Sequence, residues 1–332
     1  MTFALGTFSR NNSAPYAGLV INDHIVDLRE LAGLRPQLEL RPDQAGSVLA
    51  LLTQWDDSLP VLEELAASLP EIAESELPRH VLSDLKVHAP VQLPRQIFCT
   101  GANYRKHVAQ ICVDMGVGPE GLSGEELRRW AEKMMDERAA KGDPYVFTKV
   151  PSAITGAYDP ILLPAHVNKP DWEIELGVII GRGGRYIERR DALSHVAGYA
   201  ILNDVSARDL IARTDWKALG TDWLRSKCLP TFLPFGPYLV PAKFVADPQD
   251  LHLCLKLNGA IMQDENTADM LFDVARQIEY ISRYAELWPG DLIATGSPAG
   301  NGTHHKRFLR AGDVVEAEIT GLGRQRNVCS AE

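Results

Sequence analysis

Glu173 and Glu175 sit two residues apart in "DWEIELGVIIG" (171–181), a run that is otherwise apolar. Successive strand residues face opposite ways, so Trp172, Ile174, Leu176 and Val178 share one face. Glu173, Glu175, Gly177 and Ile179 share the other. Both faces continue into apolar residues, which predicts an interior strand. The two carboxylates then lie roughly 7 Å apart along the strand, close enough to converge on one point. Two buried like charges repel and are costly to desolvate. A divalent cation compensates them, and oxygen ligands suit Mg²⁺ or Mn²⁺, with Ca²⁺ as a third candidate. The competing reading is a surface strand whose glutamates meet water or arginine. A third carboxylate tips the balance. "GYAILNDVSARD" (198–209) is another apolar strand with Asp204 at its tip, and three oxygens leave positions for water or substrate, as Mg²⁺ requires. Asp209 competes with Asp204, but a helix-like turn after Ser206 would direct it elsewhere, toward a nearby arginine.

The rest of the chain must position these groups. Of its 332 residues, 45% are hydrophobic and 23% charged, the profile of a globular protein of more than one unit. The formal charge is −10 and the pI about 5.4, which argues against nucleic acid or anionic membrane as partner. Five dispersed cysteines without a CxxC argue against a disulfide framework or structural zinc and for a reducing, cytoplasmic setting. No segment reads as a signal peptide or membrane span.

Short apolar pieces in the first 30 residues predict small antiparallel strands, and 43–67 carries helical spacing. The proline-rich stretch 87–96 reads as a linker, so 1–90 is expected to be a small N-terminal β-rich module and 97–330 the main domain. Residues 103–114 can form helical turns. "SGEELRRWAEKMMDERAAKG" (123–142) reads as a surface helix with Ser123 as N-cap and Glu126 completing a capping box. From 145 onward the pattern is strand-rich. One amphipathic helix interrupts it at 267–287, with Leu271, Val274, Ala275, Ile278, Ile281 and Ala285 on its buried face. The class is α+β, mixed β with helices.

The motifs "NYRKH", "FTKVPSAITG", "DWEIELGVIIG", "GYAILNDVSARD", "WLRSKC" and "PGDLIATGSPAGNG" occur in this order, followed by "FLRAGDVVEAEITGLGRQRN". Together, over about 97–328, they resemble the fumarylacetoacetate hydrolase family in its acylpyruvase-like bacterial branch. The resemblance implies a β-roll or β-sandwich catalytic domain and a homodimer. It also implies a bound Mg²⁺ or Mn²⁺ and a small 2-oxo or 2,4-dioxo acid as substrate. It makes Glu173, Glu175 and Asp204 the metal ligands, His107 the general base and Lys227 a catalytic cation for the oxyanion. Lys149, Arg208 and Thr295 become substrate-binding candidates, though Arg208 serves equally as a structural partner of Asp204 or Asp209. The implied reaction is hydrolysis of a C–C bond in an acylpyruvate-like acid through a metal-held enolate, in catabolism. The alternative on the same site is a 2-oxo acid decarboxylase, hydratase or tautomerase.

Three departures bear on that choice. The family pairs the His with a Glu three residues on, where this chain has Gln110. An amide orients the ring but brings no charge. Many members carry Gln where this chain has Ile211, which favours a more apolar or a differently placed substrate. Finally, 115–142 lengthens the loop before the "FTK" strand, as a helical lid or a dimer contact.

Overall fold

The computed structural model describes residues 2–10 and 13–332. Among the described residues, three large sheets and a two-stranded pair, Pro170–Asp171 with Ser206–Ala207, build the chain. The first is antiparallel, in the order His80–Val81, His24–Asp27, Tyr16–Ile21, Ala4–Ser9, Lys86–His88. Every residue of Ala4–Ser9 and Tyr16–Ile21 is buried, so this sheet is covered on both faces. The segment expected to be helical forms three helices, Pro42–Ala45, Val48–Leu52 and Trp55–Ser68. Leu51, Leu52, Leu62 and Leu65 turn inward from the last two and join Leu5 and Leu19 of the sheet in one apolar core. That core runs on into Ile97, Ile179, Leu202, Phe235 and Leu292 of the second sheet. Leu5 and Leu239 exchange two 2.8 Å backbone hydrogen bonds across the junction.

The second sheet has eight strands. Along it run Tyr145–Lys149, Ile97–Gly101, Leu292–Ala294, Ile174–Ile180, Val196–Asn203, Leu233–Phe235 and Ile154–Gly156, with Val240–Pro241 also paired to Val196–Asn203. Ile174–Ile180 and Val196–Asn203 lie at its centre and are buried throughout. The near-continuous apolar runs follow from this, because a strand covered on both faces needs no polar alternation. Trp172, Ile174, Leu176 and Val178 belong to one core and Ile179 to the other. The third sheet runs Ala260–Asn266, His252–Leu257, Val314–Ile319, Gly323–Ala331, Ile161–Leu163. The fold is mixed α+β, and no helix among the described residues is long and apolar enough to cross a membrane.

Two local expectations need correction. The helix expected over 267–287 begins only at Val274, because the Asp273 side chain accepts from the Arg276 amide and caps it there. Thr267–Asp269 is a separate turn. Ser123 does precede helix Gly124–Lys141, but its hydroxyl makes no capping bond, so the capping box does not form.

Candidate active site

The central hairpin brings the carboxylates together. Glu173 lies just before strand Ile174–Ile180, where its amide donates to Asn203 Oδ1 at 2.9 Å. Its carbonyl accepts from the Asp204 amide at 2.9 Å. These two bonds fix the end of one strand beside the end of the next. Glu175 stands opposite Leu202 in register. Glu173, Glu175 and Asp204 are all buried, and each offers an oxygen within 4.8 Å of the others.

Three cations surround the cluster. Lys227, from helix Trp223–Lys227, donates to Glu173 Oε2 at 2.6 Å and Asp204 Oδ2 at 2.5 Å. Arg208 donates to Asp171 Oδ2 at 2.8 Å and Glu173 Oε1 at 2.5 Å. Lys149 donates to Asp204 Oδ1 at 2.6 Å and to the carbonyls of Val205 and Phe232. Glu173 and Asp204 each therefore hold two cations. Among the described residues Glu175 holds none: its one hydrogen bond comes from the Gly296 amide, at 2.7 Å. Gly296 has φ +100°, and a Cβ there would come within 2.7 Å of Asn103 Cβ, so glycine is what lets this amide reach the carboxylate.

The electrostatics divide accordingly. Burial pushes the Glu173 carboxyl up, but Arg208 and then Lys227 overcome this and hold it well below the usual range. Burial, with Asp204 and Glu173 as like-charged neighbours, drives the Glu175 carboxyl well above its ordinary value. Burial opposes the Lys227 ammonium, yet Asp204 and Glu173 raise it above its normal value. Asp171, Glu173, Glu175 and Asp204 thus face three cations, and the uncompensated charge sits on Glu175. Three clustered oxygen donors and one unbalanced carboxylate fit a hard divalent cation.

His107 stands in the first turns of helix Arg105–Met115, and its ring lines the same pocket. It is buried, and its Nδ1 has no partner among the described residues. Burial lowers the imidazole to about 4, although Glu173 pulls the other way. Gln110 does not hold the ring: its Oε1 accepts from the Gly300 amide at 3.0 Å. Helix Gly124–Lys141 packs behind the His107 helix through Val108, Ala109, Cys112, Ala131 and Met135. Arg138 from that helix donates to Ala102 O at 2.6 Å.

The pocket encloses about 200 Å³ between the carboxylates and an apolar wall of Ile111, Tyr145, Phe147 and Trp223. His107, Lys227 and Arg208 line it with the three carboxylates. Lys149 and Thr295, expected as substrate-binding residues, are not among its lining residues. The Lys149 ammonium is wholly buried behind Asp204. Thr295 is buried with its hydroxyl donating to Leu176 O at 2.8 Å, while its neighbours Gly296 and Ser297 meet the site. Asp209 turns away and accepts from Asn168 and Lys169. Sequence reasoning missed Asp171, Asn203, Ser206 and Asn103. Ser206 donates to Glu173 Oε2 at 3.2 Å. Asn103 ties Thr295 O to the Phe272 amide and carbonyl, fixing the turn that presents Gly296. Their legible signal was position: Asp171, Asn203 and Ser206 lie beside the carboxylates in their motifs, and Asn103 opens the NYRKH motif.

Residues 96–329 match the model of the fumarylacetoacetate hydrolase C-terminal domain. The chain is 37% identical over 305 residues to the mitochondrial oxaloacetate tautomerase FAHD2A of Bos taurus, covering 88% of this chain and 86% of that one. It is 45% identical over 191 residues to a 2,4-didehydro-3-deoxy-L-rhamnonate hydrolase of a Sphingomonas strain, covering 57% and 65%. A fumarylacetoacetate hydrolase from Exiguobacterium antarcticum superposes with a TM-score of 0.73 at 30% identity over all of both chains. Maleylpyruvate hydrolase from Sphingobium sp. SYK-6, solved with manganese(II) and pyruvate, gives 0.70 at 26% identity over 99% of each. With the match spanning both central strands and every residue of the carboxylate cluster, the chain belongs to the fumarylacetoacetate hydrolase family.

Proposed function

We propose that the protein is a divalent-metal-dependent enzyme acting at C3 of small 2-oxo acids through their enol form, and that its reaction is keto–enol interconversion. The observation that carries this reading is the state of His107. Activation of water for C–C hydrolysis calls for a base whose charged form is well supported, and among the described residues this ring has no hydrogen-bonded carboxylate and no contact from Gln110, with only the field of Glu173 opposing its burial. Moving a proton between C3 and the C2 oxygen asks less of it, because the carbon acid is already activated.

A cation held by Glu173, Glu175 and Asp204 would act as a Lewis acid toward the 2-oxo carboxylate unit. The chain's own residues do the rest. Lys227 and Arg208 lock the two ligand carboxylates by short charge-assisted bonds, so the donor geometry is set before substrate arrives. The neutral His107 imidazole accepts the C3 proton and delivers it to the C2 oxygen, or the reverse from the enol, while the apolar wall limits water at the enol.

A second reading, C–C hydrolysis of an acylpyruvate, is favoured by the 45% identity to the rhamnonate hydrolase. Acetylpyruvate separates the two. On the proposed reading its keto and enol forms interconvert rapidly with Mg²⁺, and pyruvate release stays at background. Stoichiometric pyruvate release at the rate of enol loss would establish the hydrolase instead.

The pH profile follows from the ring's surroundings. His107 must be neutral to act, so kcat/KM is expected to be flat through neutrality and to fall only as pH approaches about 4. Gln110→Glu places a carboxylate one helical turn away and supports the imidazolium. Its acid limb is expected to move up toward the ordinary histidine value of about 6.5. Residual activity in His107→Gln with the same acid limb would mean that His107 is not the titrating base.

A further inference from the structure

We infer that Phe147 and Trp223, braced by Tyr145, form a subsite for the distal end of the substrate that selects a flat apolar group over a carboxylate. The inference rests on the enol-acid reading for the proximal end only.

Tyr145 and Phe147 are alternate residues of strand Tyr145–Lys149, so both turn to the same face. The Trp223 ring stacks on Phe147 with centroids 4.8 Å apart and planes at 17°. The Trp223 indole N–H donates to the Tyr145 hydroxyl at 2.8 Å, which holds the indole in plane. Trp223 opens helix Trp223–Lys227 and Lys227 closes it, so the i, i+4 spacing puts both on one side of the helix. The Lys227 ammonium lies 5.2 Å from the Phe147 centroid. One short helix thus carries the ring that would meet the distal group and the cation that holds the metal ligands. Asp222 caps it through the Arg225 amide.

The cations of the pocket leave nothing for a second carboxylate. Arg208 is committed to Asp171 and Glu173, and Lys227 to Glu173 and Asp204. Lys149 is sealed behind Asp204. On helices Gly124–Lys141 and Trp223–Lys227, Arg138 is spent on Ala102 O, and Arg225 on Leu210 O and Ala212 O. A dicarboxylic 2-oxo acid would therefore set its distal charge against Ile111, Phe147 and the half-buried Trp223 with no uncommitted cation among the residues that line the pocket, at a desolvation cost that an aryl or alkyl group avoids. Aromatic rings also gain from stacking.

The test compares phenylpyruvate with oxaloacetate on the Mg²⁺-loaded protein. Enol–keto conversion is followed by absorbance, and binding is measured separately by calorimetry. Phenylpyruvate is expected to have the higher kcat/KM and the lower Kd. In Trp223→Ala the phenylpyruvate-to-oxaloacetate ratio is expected to fall about tenfold, the scale of one lost ring contact. Trp223→Phe should keep most of it. Thermal melts confirm that both variants fold. If neither acid turns over but phenylpyruvate binds more tightly and Trp223→Ala removes that preference, the subsite stands and the enol reading falls. Equal or tighter binding of oxaloacetate by the wild type, or a preference that Trp223→Ala leaves intact, would overturn the subsite.

Discussion

Glu175→Gln is expected to abolish metal-dependent turnover and, at the same time, to stabilise the metal-free protein. Glu175 has no cation partner, while Asp204 and Glu173 oppose its charge. The amide keeps the Gly296 hydrogen bond and removes the unbalanced charge. Activity should drop by roughly 10²–10³ or more, the cost of losing one preorganised electrostatic group. The chelated variant should melt roughly 3–8 °C above the chelated wild type. The sign of the pH dependence follows from linkage. The folded-state carboxyl is raised above its unfolded value, so the folded wild type binds the extra proton at low pH and loses that stability as pH climbs above the ordinary carboxylate range. The gap between variant and wild type should therefore widen from pH 5 to pH 8 without metal and close when Mg²⁺ or Mn²⁺ is added. Differential scanning fluorimetry with and without chelator reads all of this. A variant less stable than wild type in chelator would show that Glu175 is compensated by a partner other than a metal.

Lys227→Met is expected to have the opposite effect on stability. The ammonium bridges Glu173 and Asp204 in a buried site, and each of those carboxylates would keep only one cation. Breaking a buried pair from one side costs about 3–5 kcal/mol, because the partner charge stays buried. Methionine fills much of the same volume, so the loss reads the charge rather than a cavity. Divalent metal should recover part of that stability, since the metal takes over the unbalanced carboxylates. Turnover should not recover, because the ligands lose the clamp that orders them. Urea titrations in chelator and in Mg²⁺ separate the two terms. A loss below about 1 kcal/mol would mean that the site relaxes by admitting water, the behaviour of an exposed pair.

The carboxylate cluster was legible because its cause is local. Like charges inside an apolar strand demand a reason, and Glu173 and Glu175 fall on the face that strand periodicity assigns them. Asp204 was legible as the polar tip of the neighbouring apolar strand. What stayed hidden depends on partners far along the chain. Lys149 and Lys227 both look like pocket cations in sequence. Only the fold shows that one stands behind Asp204 and the other in front of it. Thr295 was named from its motif, but its side chain faces the backbone of Leu176, and its neighbours Gly296 and Ser297 face the site. Strand Gly323–Ala331 carries a weak signal because Gln325 and Asn327 occupy its inward face and donate to backbone carbonyls elsewhere in the fold. A polar inward face erases the apolar alternation by which a strand is read. The start of the 267–287 helix was misplaced because the Asp273 cap overrides periodicity. The aromatic wall joins residues 145, 147 and 223, and no spacing rule connects them.

The most direct test supplies a 2-oxo acid as its enol and follows the loss of enol absorbance. Phenylpyruvate serves with wild-type protein in Mg²⁺, in chelator, and with Glu175→Gln. Rapid conversion to the ketone is expected in Mg²⁺, with a return to the uncatalysed rate in chelator and the same slow rate in the variant. Conversion that is equally fast in chelator, or that survives Glu175→Gln, would contradict a reaction built on the metal-binding carboxylates.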